Sequence, residues 1–600
     1  MMNSPLRTPL RPLARILHAR ATGANPDVIE QENLARRHES LRDRARGRAQ
    51  LRLLFLCMCF FSAFTVVGAR MGMLSATEPM EPRGAGGAAT IAQGRADIVD
   101  RNGRVLATNM LTHALYVQTK DLIDPARVAR ELAVIFPELD AAALERRFTD
   151  GRSFLWVRKV MSPEQMQAVH EIGDPGLLFG PREMRLYPNG SLAAHVLGGA
   201  SFGAEGVDSA EVIGTAGIEK ALDARLRDPA QTGQPLELSI DLTVQATIEE
   251  VLATGVAQFE AKGGAAILMD VHTGEIAALA SYPTFDPNAR PNPLADPNAE
   301  AGDSPLFNRA VQGVYELGST FKIFAAAQAM ELGLVNPNTP INTQSLTVGK
   351  KRFSEFDNHN YGPTKTVTEV IEVSSNIGTG HLALMIGGER QKPFLQSLGL
   401  LDASPIELVE APGARPLVPK KWADVVTVTT SFGHGMSSSP LNLAAAYATI
   451  ANGGTKVKPT LLHHAKPDLG PRVVGEQVSK DAVMMLRRVV TNGTASMAKM
   501  DEYAIAGKTG TADKPRRGGG YYKDKVVNTF ASVFPAEAPK YVLIVTLDEP
   551  VDRTGPEVRR SAGWTAVPVA AEIVRRTAPL LGLRPAIAPQ PLDGLTAVKQ

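Results

Sequence analysis

From Leu53 to Ala69 the chain reads LLFLCMCFFSAFTVVGA, an uncharged apolar run closed at its ends by Arg52 and Arg70. At about 17 residues it is long enough to cross a lipid bilayer as a helix, and that constrains the fold of everything on either side of it. A cleaved signal sequence starts within a few residues of the N-terminus, whereas this run begins only at residue 53, so residues 53–70 are expected to be an uncleaved signal anchor. Arg36, Arg37, Arg42, Arg44, Arg46 and Arg48 precede it, and positively charged flanks stay in the cytoplasm. Residues 1–52 are therefore expected to be a basic cytoplasmic tail. They are polar and poor in large apolar residues, which suggests a flexible segment, with a solvated basic helix as the alternative. Residues 71–600 are expected outside the cytoplasm, which in a bacterium means a single-pass protein of the inner (cytoplasmic) membrane with its bulk in the periplasm.

With 600 residues the chain exceeds what one hydrophobic core organises, so at least two further domains are expected. Lys and Arg total 64 against 62 Asp and Glu, a balance that argues against a nucleic-acid binder. Cys57 and Cys59 are the only cysteines and both lie in the apolar run, so nothing downstream forms an intramolecular disulfide or a cysteine-based metal site. Residues 71–93 are Gly-rich with prolines and read as a linker. Residues 94–235 open with RADIVDRNGRVLATN, in which alternating apolar residues flank an Asn102-Gly103 hairpin turn. PARVARELAVIF and ALERRFTDG follow as helices, giving a mixed α+β domain without a phosphate-binding loop, a GxGxxG or metal-ligand spacing. From residue 236 the pattern changes. LELSIDLTVQATIEEVLATGVAQF predicts a short strand and a helix, GGAAILMDVHTGEIAALASY two strands joined at His272-Thr273-Gly274, and YAIAGKTGTA and VVNTFASVFPAEAPKYVLIVTLDEP further strands. Residues 236–580 thus predict a sheet with helices packed on it, and residues 581–600 an irregular Pro-rich tail.

Within this second domain Ser319 and Lys322 stand three residues apart in GVYELGSTFKIFAAAQAMELG, on one face of a helix buried on most sides. Gly318 permits a tight entry turn, and the positive end of the helix dipole favours a developing oxyanion at Ser319. Ser496 and Lys499 share the spacing, so the pair alone does not locate a site. Two more short patterns follow, Ser374-Ser375-Asn376 and Lys508-Thr509-Gly510-Thr511. Each taken alone is equally compatible with turn or cap chemistry, Ser374 being a candidate helix N-cap and Gly510 a turn residue.

In that order, YELGSTFK, SSN and KTGT resemble the three active-site motifs of the penicillin-binding protein and serine β-lactamase superfamily. YPNGSLAAHVLG, GTAGIEKALD, FNRAVQGVYELGSTFK and SFGHGMSSSPLNLAAAYATIANGG extend the resemblance over Arg95 to about Leu581, to class B penicillin-binding proteins and most closely the division-specific FtsI type. The resemblance implies a mixed α/β transpeptidase domain with an antiparallel sheet flanked by helices, an α+β pedestal (the dimerisation domain) and one transmembrane helix. It implies that Ser319 attacks a D-Ala-D-Ala carbonyl, Lys322 takes its proton, and Ser374 and Asn376 relay a proton to the leaving amine and hold the substrate amide. Lys508 and Thr509 would bind the terminal carboxylate, and Gly510 would leave room for the peptide. Backbone N–H groups of Ser319 and Thr511 would form the oxyanion hole. Burial beside Lys508, a second cation, would lower the pKa of Lys322.

The family often has proline where Leu317 stands, and the wider superfamily aspartate where Ser375 stands; neither position supplies a reacting atom in this scheme. No acidic motif of a glycosyltransferase lies between the anchor and Leu236. The resemblance implies no cofactor and no metal. The partners it implies are peptidoglycan stem peptides, β-lactams, division-complex membrane proteins, a glycan polymerase and, through residues 53–70, the bilayer. Three alternatives stay open on the motifs: an elongation-type transpeptidase, a D,D-carboxypeptidase, and an inactive scaffold that binds division proteins.

Overall fold

The computed structural model describes residues 13–76 and 94–586, apart from 206–209, 232, 297–298, 465 and 517–518. The N-terminal unit is helical throughout. Helix Leu13–Ala21 is followed by a turn at Gly23, and a helix of 51 residues then runs from Pro26 to Ala76. Asn25 accepts from the Asp27 N–H (3.0 Å) and Pro26 sits at the first helical position, a favourable start. The described part of the tail expected from composition to be flexible, residues 13–52, is thus mainly helical, the alternative reading; residues 1–12 lie outside the described residues. Ala, Arg, Glu and Leu are strong helix formers, and continuity with the apolar run spares this segment a second nucleation. Within the helix, Ala49–Met71 is long and apolar enough to cross a membrane. Phe61 and Phe64 are about three-quarters exposed, as lipid-facing side chains are in the absence of lipid. The helix also occupies the first residues assigned to the linker, whose remainder, 77–93, lies outside the described residues.

Residues 94–235 build the pedestal around the long strand Val105–Gln118, which pairs antiparallel with Ile98–Val99, Phe154–Met161 and Leu177–Leu186. The Asn102-Gly103 turn forms as expected, with Gly103 at φ +77. Helices Pro125–Ile135, Ala141–Thr149 and Pro163–Glu171 each start on a side-chain cap, from Asp124, Asp140 and Ser162. They bury Val128, Leu132, Phe136 and Phe148 against Leu115, Val117 and Leu155. Leu236–Glu237, placed from sequence at the head of the next domain, pairs in parallel with Ile98–Val99. Ile98, Leu106, Leu197 and Ile218 join the same hydrophobic cluster as the central sheet of the second domain.

That sheet has five antiparallel strands in the order Ala506–Pro515, Tyr521–Phe534, Tyr541–Asp548, Gly263–Asp270, Ile276–Tyr282. Helices Leu242–Gln258 and Ala566–Leu580 pack against it and against each other, and Pro440–Ala451 and Glu476–Thr491 form a second packed pair. Of the three central strands, Gly263–Asp270 and Tyr541–Asp548 are buried almost end to end and Tyr521–Phe534 from Val526 onward, which is why these stretches read as continuous apolar runs. Ala506–Pro515 is left at the sheet edge, beside the turn that carries Ser319.

Candidate active site

Ser319 lies in a 3-10 turn, Gly318–Phe321, that precedes the α-helix Lys322–Glu331 rather than in the first turn of that helix. The turn is fixed from three sides. The Tyr447 hydroxyl, fully buried, donates to the Thr320 carbonyl (2.7 Å), and the Gly318 N–H donates to the Gly433 carbonyl (3.2 Å). Three residues before Ser319, Glu316 accepts from the Gly435 N–H (3.0 Å) and the Tyr521 hydroxyl (3.0 Å). Burial raises the Glu316 carboxyl above its ordinary value, against the lowering effect of His434 and these donors.

One turn further on, Lys322 has no exposed surface. Its Nζ donates to Asn376 Oδ1 (2.8 Å), the Ser374 hydroxyl oxygen (3.1 Å) and the Ser374 carbonyl. From the edge strand the equally buried Lys508 donates to the same hydroxyl oxygen (2.9 Å). Two lysine amino groups thus converge on Ser374 Oγ. The backbone at Ser374 has φ +62, a left-handed conformation that costs a non-glycine residue about 1–3 kcal/mol, and it places the hydroxyl between the lysines. Ser375, not Ser374, caps the following helix Asn376–Ile386, accepting from the Gly378 N–H (2.9 Å).

Along the edge strand residues alternate between two surroundings. Lys508 points inward, whereas Thr509 and Thr511 line a cleft of about 370 Å³ together with Ser319, Lys322, Ser374 and Asn376. Thr509 Oγ1 is held by Thr494 Oγ1 (2.7 Å). Phe356, Tyr361, His434 and Trp564 complete the walls. The arrangement offers a half-buried hydroxyl, an amine able to be neutral, a bridging hydroxyl and a polar strand edge, which suits acyl transfer through a serine ester.

The surrounding sequence agrees with this chemistry. Residues 264–575 match the penicillin-binding protein transpeptidase domain, and residues 90–233 the penicillin-binding protein dimerisation domain. The chain belongs to the penicillin-binding protein transpeptidase family. It is a class B member, with the dimerisation segment ahead of the transpeptidase domain on one chain. It is 35% identical over 568 residues to the probable peptidoglycan D,D-transpeptidase FtsI of Caulobacter vibrioides, covering 91% of each. To the peptidoglycan D,D-transpeptidase FtsI of Escherichia coli K12 it is 28% identical over 540 residues, 83% of this chain and 87% of the relative. The crystal structure of penicillin-binding protein 3 of Mycobacterium tuberculosis is similar, both apo and complexed with aztreonam. Each has a TM-score of 0.61 at 26% identity, over 82% of this chain and 97% of that one.

In this penicillin-binding protein the structure refines one sequence-based expectation and corrects another. Burial draws Lys322 down, to about 7, as expected, and the carboxylate of Glu355 opposes the shift, while the repulsion between the two lysines falls on Lys508. Lys508 is pushed well below its ordinary value by burial and by the charge of Lys322. Gly510, expected to make room for a peptide, makes room for the Ser319 turn. A Cβ there would lie 2.3 Å from the Leu317 carbonyl oxygen and 2.9 Å from Thr320 Cγ2. Ser496 and Lys499, the pair with the same spacing, lie exposed around a separate 3-10 turn, where nothing desolvates the lysine.

Sequence reasoning missed Glu355, Gly433 and Tyr447. Gly433 and Tyr447 lie inside the SFGHG block and the helix after it, whose resemblance was legible although their contacts were not. Glu355 lies in an irregular stretch with no periodicity to reveal it.

Proposed function

We propose that this chain is a membrane-anchored, serine-type peptidoglycan D,D-transpeptidase that cross-links stem peptides and is acylated by β-lactams. The observation that carries the reading is the convergence of two fully buried lysines on Ser374 Oγ, in the cleft onto which Ser319 opens. Neutral Lys322 takes the Ser319 proton as Oγ bonds to the carbonyl carbon of the penultimate D-alanine. The tetrahedral oxyanion is met by the N–H groups of Ser319 and Thr511, whose adjacency is supported by the approach of Gly318 to the Thr511 backbone, a Cβ there lying 3.0 Å from the Thr511 oxygen. The C–N bond then breaks. Lys322 returns its proton through Ser374 to the departing amine, and the serine ester remains. Asn376 holds the substrate amide, while Lys508 and Thr509 take the terminal carboxylate. An acceptor amine from a second stem peptide then attacks the ester, losing a proton as the new amide forms and Ser319 recovers its hydrogen.

The helix Ala49–Met71 supports anchoring in the cytoplasmic membrane, and the arginines before it support a periplasmic catalytic domain. The relatives named FtsI support a septal role, in which the pedestal and anchor meet division-complex membrane proteins and a glycan polymerase. The test is to expose the full chain in detergent to a fluorescent penicillin and map the labelled residue by mass spectrometry. Covalent label on Ser319, lost in Ser319→Ala, is expected. Label elsewhere, or undiminished label in the variant, would overturn the assignment.

A further inference from the structure

Glu355 is nearly as buried as the lysines, with 5% of its surface exposed, yet it lies outside the three motifs. Its carboxylate collects three donors from the start of the Asn376–Ile386 helix: the Ser375 hydroxyl (2.5 Å), the Asn376 N–H (2.6 Å) and the Ile377 N–H (3.3 Å). The preceding residue acts on the same side chain, since the Ser354 carbonyl accepts from Asn376 Nδ2 (3.2 Å). With its nitrogen committed there, the Asn376 amide must turn Oδ1 toward Lys322, as observed at 2.8 Å. A carboxylate at a helix N-terminus is also favoured by the unpaired N–H groups and the helix dipole.

We infer that Glu355 is a positioning residue for the reaction at Ser319: it clamps the Ser375–Ile377 turn, and through that turn sets the Ser374 hydroxyl and the Asn376 amide against Lys322. This rests on the assignment of Ser319 and Lys322 proposed above. The clamp accounts for three features at once. It holds the left-handed Ser374 backbone in place, because the residue immediately after it is fixed by both its own cap and Glu355. It explains why a serine is used at position 375, since its hydroxyl donates to Glu355 while accepting from Gly378. It also sets a negative charge close enough to Lys322 to stabilise the ammonium form against burial.

The last point distinguishes this role from mere support, because it makes Glu355 part of the pH response. The charged groups around the pair are few. Lys508 faces Lys322 across Ser374, Arg352 and His359 line the cavity behind Glu355, and His434 and Asp513 line the far side of the cleft. Replacing Glu355 by glutamine removes a carboxylate that favours charged Lys322. The amine then stays neutral to lower pH, so the limb along which acylation rises with pH must move down.

The test uses the full chain in detergent. The rate of fluorescent-penicillin acylation is measured against pH for wild type, Glu355→Gln and Glu355→Asp, with folding checked by thermal unfolding. Expected for Glu355→Gln is a limb displaced to lower pH by at least half a unit and a plateau rate lowered about 10–100-fold, the size of effect found when groups orienting an active-site ligand are removed. Glu355→Asp keeps the charge and should hold the limb near its wild-type position. In parallel, competitive acetylation of Lys322 against pH, read by peptide mass spectrometry, follows the same titration without catalysis. An unmoved limb and unmoved acetylation profile in Glu355→Gln, or a wild-type plateau, would overturn the inference. A wild type that takes no label at Ser319 while its Lys322 acetylation profile still shifts in Glu355→Gln would refute the transpeptidase reading and leave the clamp standing.

Discussion

Lys322 and Lys508 meet at one hydroxyl with neither side chain exposed to solvent, and this decides how each behaves. Burial brings Lys322 to about 7, so a growing fraction is neutral as pH rises through that value. As a proton acceptor it works only when neutral, so acylation should be slow at pH 5–6 and rise through about 7, the rate of penicillin labelling against pH being the measurement. Lys322→Ala should lower that rate by a factor on the order of 10²–10⁴, the usual contribution of a general base. Lys508 is likewise pushed well below its ordinary value, by burial and by the charge of Lys322. A bound carboxylate reverses this by supplying an opposite charge. Binding of a penicillin to Ser319→Ala should therefore be accompanied by net proton uptake from the medium, seen as a dependence of calorimetric heat on the ionisation enthalpy of the buffer.

At the scale of elements, the site is the meeting of a 3-10 turn, a helix N-terminus and a strand edge, and glycines allow the approach. Gly433 has φ +74, and a Cβ there would lie 2.1 Å from the Gly318 oxygen; at Gly510 the obstacle is the Leu317 carbonyl. Both obstacles are backbone of the Ser319 turn and neither can swing aside. Gly510→Ala and Gly433→Ala should each lose about 1–3 kcal/mol of stability and most of the acylation rate, measured by thermal unfolding and penicillin labelling. If Gly510 mattered only for substrate room, affinity would fall with stability unchanged. The strands and helices around this junction were legible because each has its own period or continuous apolar run, as in VVNTFASVF and KYVLIVTLD. The turn at Ser374 and the loop holding Glu355 were not, because their conformations come from contacts with residues far along the chain.

Across the whole molecule, pedestal and transpeptidase domain are distinct by family yet share one hydrophobic cluster, with Leu236–Glu237 completing the pedestal sheet. The pedestal has a polar centre as well. Glu219, fully buried, pairs with Arg95 (2.6 Å) and Arg185 (2.7 Å), both also buried, and lies 3.3 Å from the Tyr187 hydroxyl. Removing one member of such a group leaves uncompensated charge in a poorly solvated place. Glu219→Ala should destabilise the protein by about 3–5 kcal/mol, seen as a lowered unfolding temperature, while Ser319 in the folded fraction still takes label.

The sequence by itself determined a helix long and apolar enough to cross a membrane, since an uncharged run of that length between arginines needs no partner to be read. It determined the transpeptidase family through motifs whose order survives without coordinates, and most strands and helices through local periodicity. Only the tertiary structure decided the electrostatics. Whether a lysine is neutral depends on what excludes water from it and which charges stand nearby, and Lys322, Glu355 and Lys508 are brought together from three separate stretches of chain. The same holds for Gly510, whose missing side chain answers to a carbonyl nearly two hundred residues earlier.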